Sequence, residues 1–430
     1  MIDIAILGCG TVASGVCRLL KQNHEDIAKR IGQDIRIRYI LARTPQKAQA
    51  LGFSDDQICS DVGPIVADPQ IKIVVELMGG TTTAFDSICA CLRAGKHIVT
   101  ANKDLIAERG RELFELAAQH GADLCFEASV GGGIPIIQPL KQSLSANRFS
   151  EIIGILNGTT NFILTKMAAE GLSYDRALAL AQELGFAEAN PESDVMGTDA
   201  ARKIAILASI AFNSRVALSD VYKEGITEID DSDIALARRM GYVIKLLAVA
   251  REVEGKVLMF VRPAFVAAAH PLASVNDSFN ALFVHGDAVG DIMLYGRGAG
   301  SMPTASAVVG DVMEVCRNLI HGGCGRMGCE CYAQREVVGI DELESSFFVR
   351  LRVSDRPNVL AGVARAFGEQ GVSLSSLVQS PVRDGTAELI LITHPARERA
   401  LRNALAELMQ KDYVSRIHTF MCLEVADEEE

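Results

Sequence analysis

The first thirteen residues restrict the fold more than any other stretch. Ile2 to Leu7 is a short apolar run, and Gly8-Cys9-Gly10-Thr11-Val12-Ala13 follows it at once. Val12, Val16, Leu19 and Leu20 then recur at helical spacing. A strand, a tight glycine turn and a helix in that order fit G-x-G-x-x-G/A. Gly8 permits the turn, Gly10 lets backbone approach a pyrophosphate, and Ala13 is small enough for close packing. Thr11 and Val12 open the helix, whose unsatisfied N–H groups face the phosphates.

The pattern continues as β-α alternation. Ile35 to Leu41, Ile71 to Leu77, His97 to Thr100 and Leu124 to Phe126 read as strands, and Phe85 to Ala94 and Arg109 to His120 as helices between them. The expected fold is α/β, an N-terminal Rossmann-type doubly wound parallel sheet over residues 1–134, rejoined by a helix at about 300–320. Residues 135–299 change character: longer helical stretches (Tyr174 to Leu184, Ala200 to Phe212) mix with β-like segments such as Lys256 to Val261. That predicts an α+β substrate and dimerisation domain. The glycine-rich 321–346 reads as a linker. Residues 347–430 run β-α-β-β-α-β, a ferredoxin-like order.

The formal charge of −12 and the lack of any basic run exclude a nucleic-acid partner. No apolar stretch reaches the length of a membrane helix, and the N-terminus has no signal-peptide pattern, so a cytoplasmic location is expected. Eleven scattered cysteines fit reduced thiols better than a disulfide framework.

Several residues carry candidate chemistry. Arg43 stands after the second strand, where an acid would bind a ribose 2′-hydroxyl. It suits a 2′-phosphate, or it is a solvated arginine. Lys103 follows a strand's carboxyl end, the ligand edge of such sheets; a solvated loop lysine is the alternative. Glu127 precedes the run Gly131-Gly132-Gly133, which either exposes carbonyls to a cation or is a hinge. Glu188, Asp194 and Asp199 precede a helix carrying Lys203. Asp199 and Lys203 share a face, and the helix is apolar nearly all round, so the lysine is expected to be buried in a pair or a cavity. Such an ammonium can exchange a proton with a substrate oxygen, or serve structure alone. His321, Cys324, Cys329 and Cys331 lack the paired knuckles of a zinc site.

These motifs together resemble homoserine dehydrogenases along essentially the whole chain: GCGTVASGV, TANK, FEASVGGGIPII, ILNGTTNFIL, ELGFAEANPESDVMGTDAARK and GRGAGSMPTASAVVGD, in that order. The resemblance implies reversible NAD(P)H-dependent reduction of L-aspartate 4-semialdehyde to L-homoserine, in threonine, methionine and isoleucine biosynthesis. It implies Lys203 as general acid/base, assisted by Lys103, with Asp199 positioning it, and Glu188 and Asp194 on the substrate amino group. Thr11, Val12, Arg43, Lys103 and Gly300 match cofactor contacts. Glu127, with the main chain of Val130, Gly132 and Ile134, matches a monovalent-cation site, usually sodium. Asn190 departs from the pattern, standing where many relatives carry an acid.

Asp355-Arg356-Pro357-Asn358-Val359-Leu360 and Gly371-Val372-Ser373-Leu374 resemble an ACT domain, which implies threonine feedback. Asn358 replaces the usual glycine there. The resemblance also implies a homodimer or homotetramer. Two competing readings are an aspartate-semialdehyde-type dehydrogenase, which needs a nucleophilic cysteine, and a non-catalytic amino-acid sensor. Cys89 and Cys125 lie in apolar stretches and fit the first poorly.

Overall fold

The structure, a computed structural model, describes residues 1–325, 328–381 and 385–424. Parts of the expected linker and ACT segment, 326–327, 382–384 and the acidic tail 425–430, lie outside the described residues. The chain packs as two compact units. One holds Met1–Gly158, Arg202–Ser219 and Phe279–Arg335; the other holds Thr159–Ala201, Asp220–Ser278 and Glu336–Glu430.

In the first unit, strands Ile2–Leu7, Ile35–Leu41, Ile58–Cys59, Ile71–Glu76, His97–Thr100 and Leu124–Cys125 form a parallel sheet. Its spatial order is 3-2-1-4-5-6, the doubly wound arrangement. Side-chain alternation along the first strand shows why. Ile2, Ile4 and Ile6 pack with Val16, Ile27, Val308 and Val312 from helices Thr11–Gln22, His24–Ile31 and Ser301–His321. Ala5 and Leu7 pack on the opposite face with Ile88, Leu92, Leu105 and Leu113 from helices Thr83–Arg93 and Lys103–Gln119. A strand covered on both faces is apolar at nearly every position, the exception being Asp3, which Arg36 meets at 2.6 Å, and each fully buried Ile or Leu contributes about 1.5–3 kcal/mol. Strands Phe149–Ile155, Phe279–Gly286 and Gly290–Arg297 add an antiparallel ladder to this unit.

The second unit is built on a long hairpin, Tyr242–Val253 with Lys256–Ala267. Glu254 and Gly255 have φ of 50° and 81°, so the two-residue turn has both residues left-handed, as a type I′ hairpin requires. The second hairpin strand continues into a four-stranded sheet through parallel pairing of Ala264 with Cys422 and Phe265 with Leu423. That sheet runs Val414–Leu423, Glu344–Ser354, Thr386–Thr393, Leu374–Pro381, and helices Val359–Glu369 and Glu398–Leu408 complete the ferredoxin-like order. Phe265 stacks on Phe348 at 4.6 Å across the junction.

The expected linker is largely structured where it is described. Gly325 donates its N–H to Asp123 at 2.6 Å, and Val337–Val338 pairs with Val257 and Leu258. Among the described residues, no helix is long and apolar enough to cross a membrane.

Candidate active site

The glycine turn is shaped by close contact. Gly8 has φ 105°, donates its N–H to Leu41 O, and a Cβ there would lie 2.8 Å from the Leu77 carbonyl. Gly10 faces open space and stands as N-cap of the helix Thr11–Gln22, with no side-chain cap and no acid in the first turn. Those N–H groups therefore suit a bound anion such as a pyrophosphate. Ala13 is fully buried. Ser301 Oγ donates to Thr11 O at 2.8 Å, which lays Gly300 (φ 115°) beside the turn. A Cβ on Gly15 would collide with Ser301, so the two helices meet at backbone contact. Arg43 is exposed just beyond the second strand, as is Lys47.

Glu76, fully buried at the end of its strand, was not marked by motif spacing. Its carboxylate accepts the N–H of Met78 (2.7 Å) and the Thr100 hydroxyl (2.6 Å). Thr100 in turn accepts from Asn102 N, and Asn102 accepts from Leu105 N, capping the helix Lys103–Gln119. Lys103 is thus the first helical residue and not a loop residue. A cation there opposes the helix dipole, a cost that structure alone does not require. The sequence signals were the acid closing an apolar strand, and the Thr and Asn of TANK.

Lys203 is 8% exposed, on the helix Thr198–Ala211, and its Nζ donates to Leu156 O at 2.7 Å. Its neighbour Arg202 lies 3.1 Å from Asp104, next to Lys103. The helices bearing the two lysines are thereby tied together inside the first unit. Asp199, on the same helix as Lys203, is also buried.

Glu188 is exposed and Asp194 half-buried, on the short helix Glu192–Val195. Asn190 Oδ1 accepts the N–H of Glu192 at 3.2 Å, holding that turn without a charge.

Glu127 does not offer its carboxylate freely. It accepts the N–H of Ile136, Ile137 (2.8 Å) and Gln138 (2.7 Å). Burial raises its pKa while those three donors oppose the rise. Asp311, 1% exposed, accepts from Glu127 N and the Gln138 amide; burial, with Glu127 beside it, pushes it up to about 8. Gly131 and Gly132 are both left-handed, and a Cβ on Gly132 would lie 2.3 Å from Gly298 O. What the loop can offer a cation is therefore main-chain oxygen.

The four candidate zinc ligands do not come together as a set. Among the described residues, Cys324 clusters instead with His97 and Asp123. His97 Nδ1 already accepts Asp123 N–H, and Asp123 accepts from Asn318 and Gly325. Cys89 and Cys125 are buried, and burial raises both thiols, so neither suits a catalytic nucleophile.

Comparison with known proteins agrees with this geometry. Family models match in tandem: the homoserine dehydrogenase NAD-binding domain over residues 8–127, homoserine dehydrogenase over 135–313 and the ACT domain over 347–412. A homoserine dehydrogenase of a Synechocystis strain is 44% identical, over 97% of this chain and 98% of its own length. The chain belongs to the homoserine dehydrogenase family. The relative from Bacillus subtilis is 38% identical over 97% of this chain and 96% of its own. The crystal structure of the family member from Thiobacillus denitrificans superposes with a TM-score of 0.93 at 38% identity, covering 99% of this chain and 98% of that one. A hyperthermophilic archaeal member solved with NADPH covers 73% of this chain and 97% of its own, with a TM-score of 0.63 and 27% identity. Membership makes this homoserine dehydrogenase-family chain an oxidoreductase with a nicotinamide-dinucleotide domain, and it sets aside the sensor and aldehyde-oxidising readings.

Proposed function

We propose that the enzyme reduces L-aspartate 4-semialdehyde reversibly to L-homoserine, preferring NADP(H), in threonine, methionine and isoleucine biosynthesis. The observation that carries this is the placement of Lys203: buried, fixed on the Leu156 carbonyl, and linked through Arg202 and Asp104 to the helix that begins at Lys103. The nicotinamide, when bound, supplies or accepts the hydride. Gly8, Gly10, Thr11, Val12, Ala13 and Gly300 hold its dinucleotide, and Arg43 takes the 2′-phosphate. Lys203 gives or takes the proton on the C4 oxygen of the substrate, and Lys103 adds positive charge beside it. Asp199 positions Lys203, while Glu188 and Asp194 bind the substrate amino group.

The main-chain oxygens of Glu127, Val130, Gly132 and Ile134 hold a sodium ion that fixes their loop. Threonine binds the ACT domain and inhibits. Asn358 supports that pocket, since it takes the left-handed conformation (φ 71°) that the usual glycine would adopt. The enzyme works as a cytoplasmic homodimer or homotetramer.

Steady-state homoserine oxidation with NADP or NAD, with and without threonine, tests the reaction and its regulation. Lys203→Ala should lower kcat by about a hundred- to ten-thousand-fold, with NADPH binding nearly unchanged. Turnover close to wild type would remove Lys203 from the role.

A further inference from the structure

The segment around Cys329 and Cys331 is fixed against the first unit. Lys141 Nζ donates to Gly328 O at 2.7 Å, Ala333 N donates to Asn213 O, and Ser214 bridges Ala333. Tyr332 N donates to Glu330 O, so the backbone is turned and not extended through Cys331. The two thiols lie close enough to act on each other's ionisation. The Arg215 guanidinium lies 3.9 Å from Cys329 Sγ, and Cys331 Sγ is 3.7 Å from Ser209 O. Cys329 is exposed and Cys331 half-buried. Both line a cavity of about 180 Å³ whose walls include Phe114, Lys141, Ile206 and Ser209.

We propose that Cys329 and Cys331 form a thiol–disulfide pair that closes by exchange with a low-molecular-weight disulfide. The nearby Cys331 thiol and then Arg215 hold the Cys329 thiol down to about 5, and the Cys331 thiol is pushed up by its nearness to Cys329. Cys329 is thus the attacking thiolate and Cys331 the resolving thiol. Burial raises the thiols of Cys59, Cys91, Cys125, Cys316 and Cys422, which keeps those inert.

Cys329 Sγ attacks one sulfur of the external disulfide RSSR, breaking its S–S bond and releasing one thiolate. Cys331 loses its proton and attacks Cys329 Sγ, which expels the second thiolate. Two protein thiols are oxidised, one RSSR is reduced to two RSH, and the protons leave on those thiols. A ring with one intervening residue is strained, so the bond should be readily reduced, as labile disulfides are. Closing it draws the Cys331 thiol from Ser209, on the helix that carries Lys203.

The test is mass spectrometry of the full chain after incubation with oxidised glutathione. Trypsin cuts at Arg326 and Arg335, so both cysteines fall in one peptide. The expected result is that this peptide loses two hydrogens and that dithiothreitol restores them. Cys331→Ser should retain one glutathione on Cys329, and Cys329→Ser should show neither change on this peptide. The proposal is overturned if the wild-type peptide keeps both hydrogens, if Cys329→Ser reacts as fast as wild type at Cys331, or if the bridge joins Cys324.

Discussion

The two units differ in how they satisfy several of their most buried charges. The first buries acids and satisfies them with backbone: Glu76 on Met78 N, Glu127 on three successive N–H groups, Asp311 on Glu127 N. The second joins buried bases to buried acids of distant segments. Arg262 and Glu398, both fully buried, meet at 2.7 Å. Arg350 lies 3.0 Å from Asp233. Lys245 donates to neutral oxygens, of Asn161, Val275 and Asn276. An acid on nearby amides depends on local loop geometry. An ion pair between distant segments depends on the whole unit being assembled, and losing one partner strands the other in a medium that does not solvate it.

The contrast breaks most clearly at Glu398. Glu398→Ala should cost about 3–5 kcal/mol, because Arg262 loses its fully buried partner and keeps only the half-exposed Glu224, 3.2 Å away. Denaturant unfolding measures it, and the double variant Arg262→Met with Glu398→Leu should recover most of the loss. A single variant as stable as wild type would dissolve the distinction between the units.

Lys245 sharpens it through pH. Burial lowers its pKa to about 8 from 10.5. Between those values the folded state has shed its proton while the unfolded state keeps it, so stability rises with pH across that window. The rise should be about 3 kcal/mol, at about 1.4 kcal/mol per pH unit, and absent from Lys245→Met when the two proteins are unfolded in parallel.

Asp311 has the opposite sign. Its folded pKa is raised from 3.8 to about 8, so the folded state holds a proton that the unfolded state has lost. Its contribution is greatest below pH 3.8 and declines as pH rises to about 8. Asp311→Asn should remove that decline. It should also cost about 1–3 kcal/mol, because an amide donor would face Glu127 N or the Gln138 amide. The smallest effect is expected at Asn190→Asp, within about 0.5 kcal/mol, since either side chain can accept from Glu192 N. A KM for homoserine several-fold lower in that variant would show that the missing charge matters.

What could be read from the sequence follows the range of the interactions. The strands Ile2–Leu7, Ile35–Leu41 and His97–Thr100 emerge with their observed limits, because apolar runs end there at turn residues. The helix Lys103–Gln119 starts six residues before its expected beginning, and Asn102 is the cause, through a cap that periodicity does not register. Burial of Lys203 was legible because its helix is apolar all round. The Glu76 network, the Asp311–Glu127 contact and the departure of Cys324 from Cys329 and Cys331 were not, since each joins segments that only folding brings together.

The hairpin strand Lys256–Ala267 also reaches beyond its own fold. Because Ala264 and Phe265 pair with the final strand, and Arg262 finds Glu398 on the last helix, the ACT module is built into the frame of its unit. Shortening the protein before Phe347 would expose a sheet edge and uncover Arg262 without its Glu398 partner. A transplanted ACT module would have to arrive with its own carboxylate at that spot, or the host would need an apolar residue in place of Arg262.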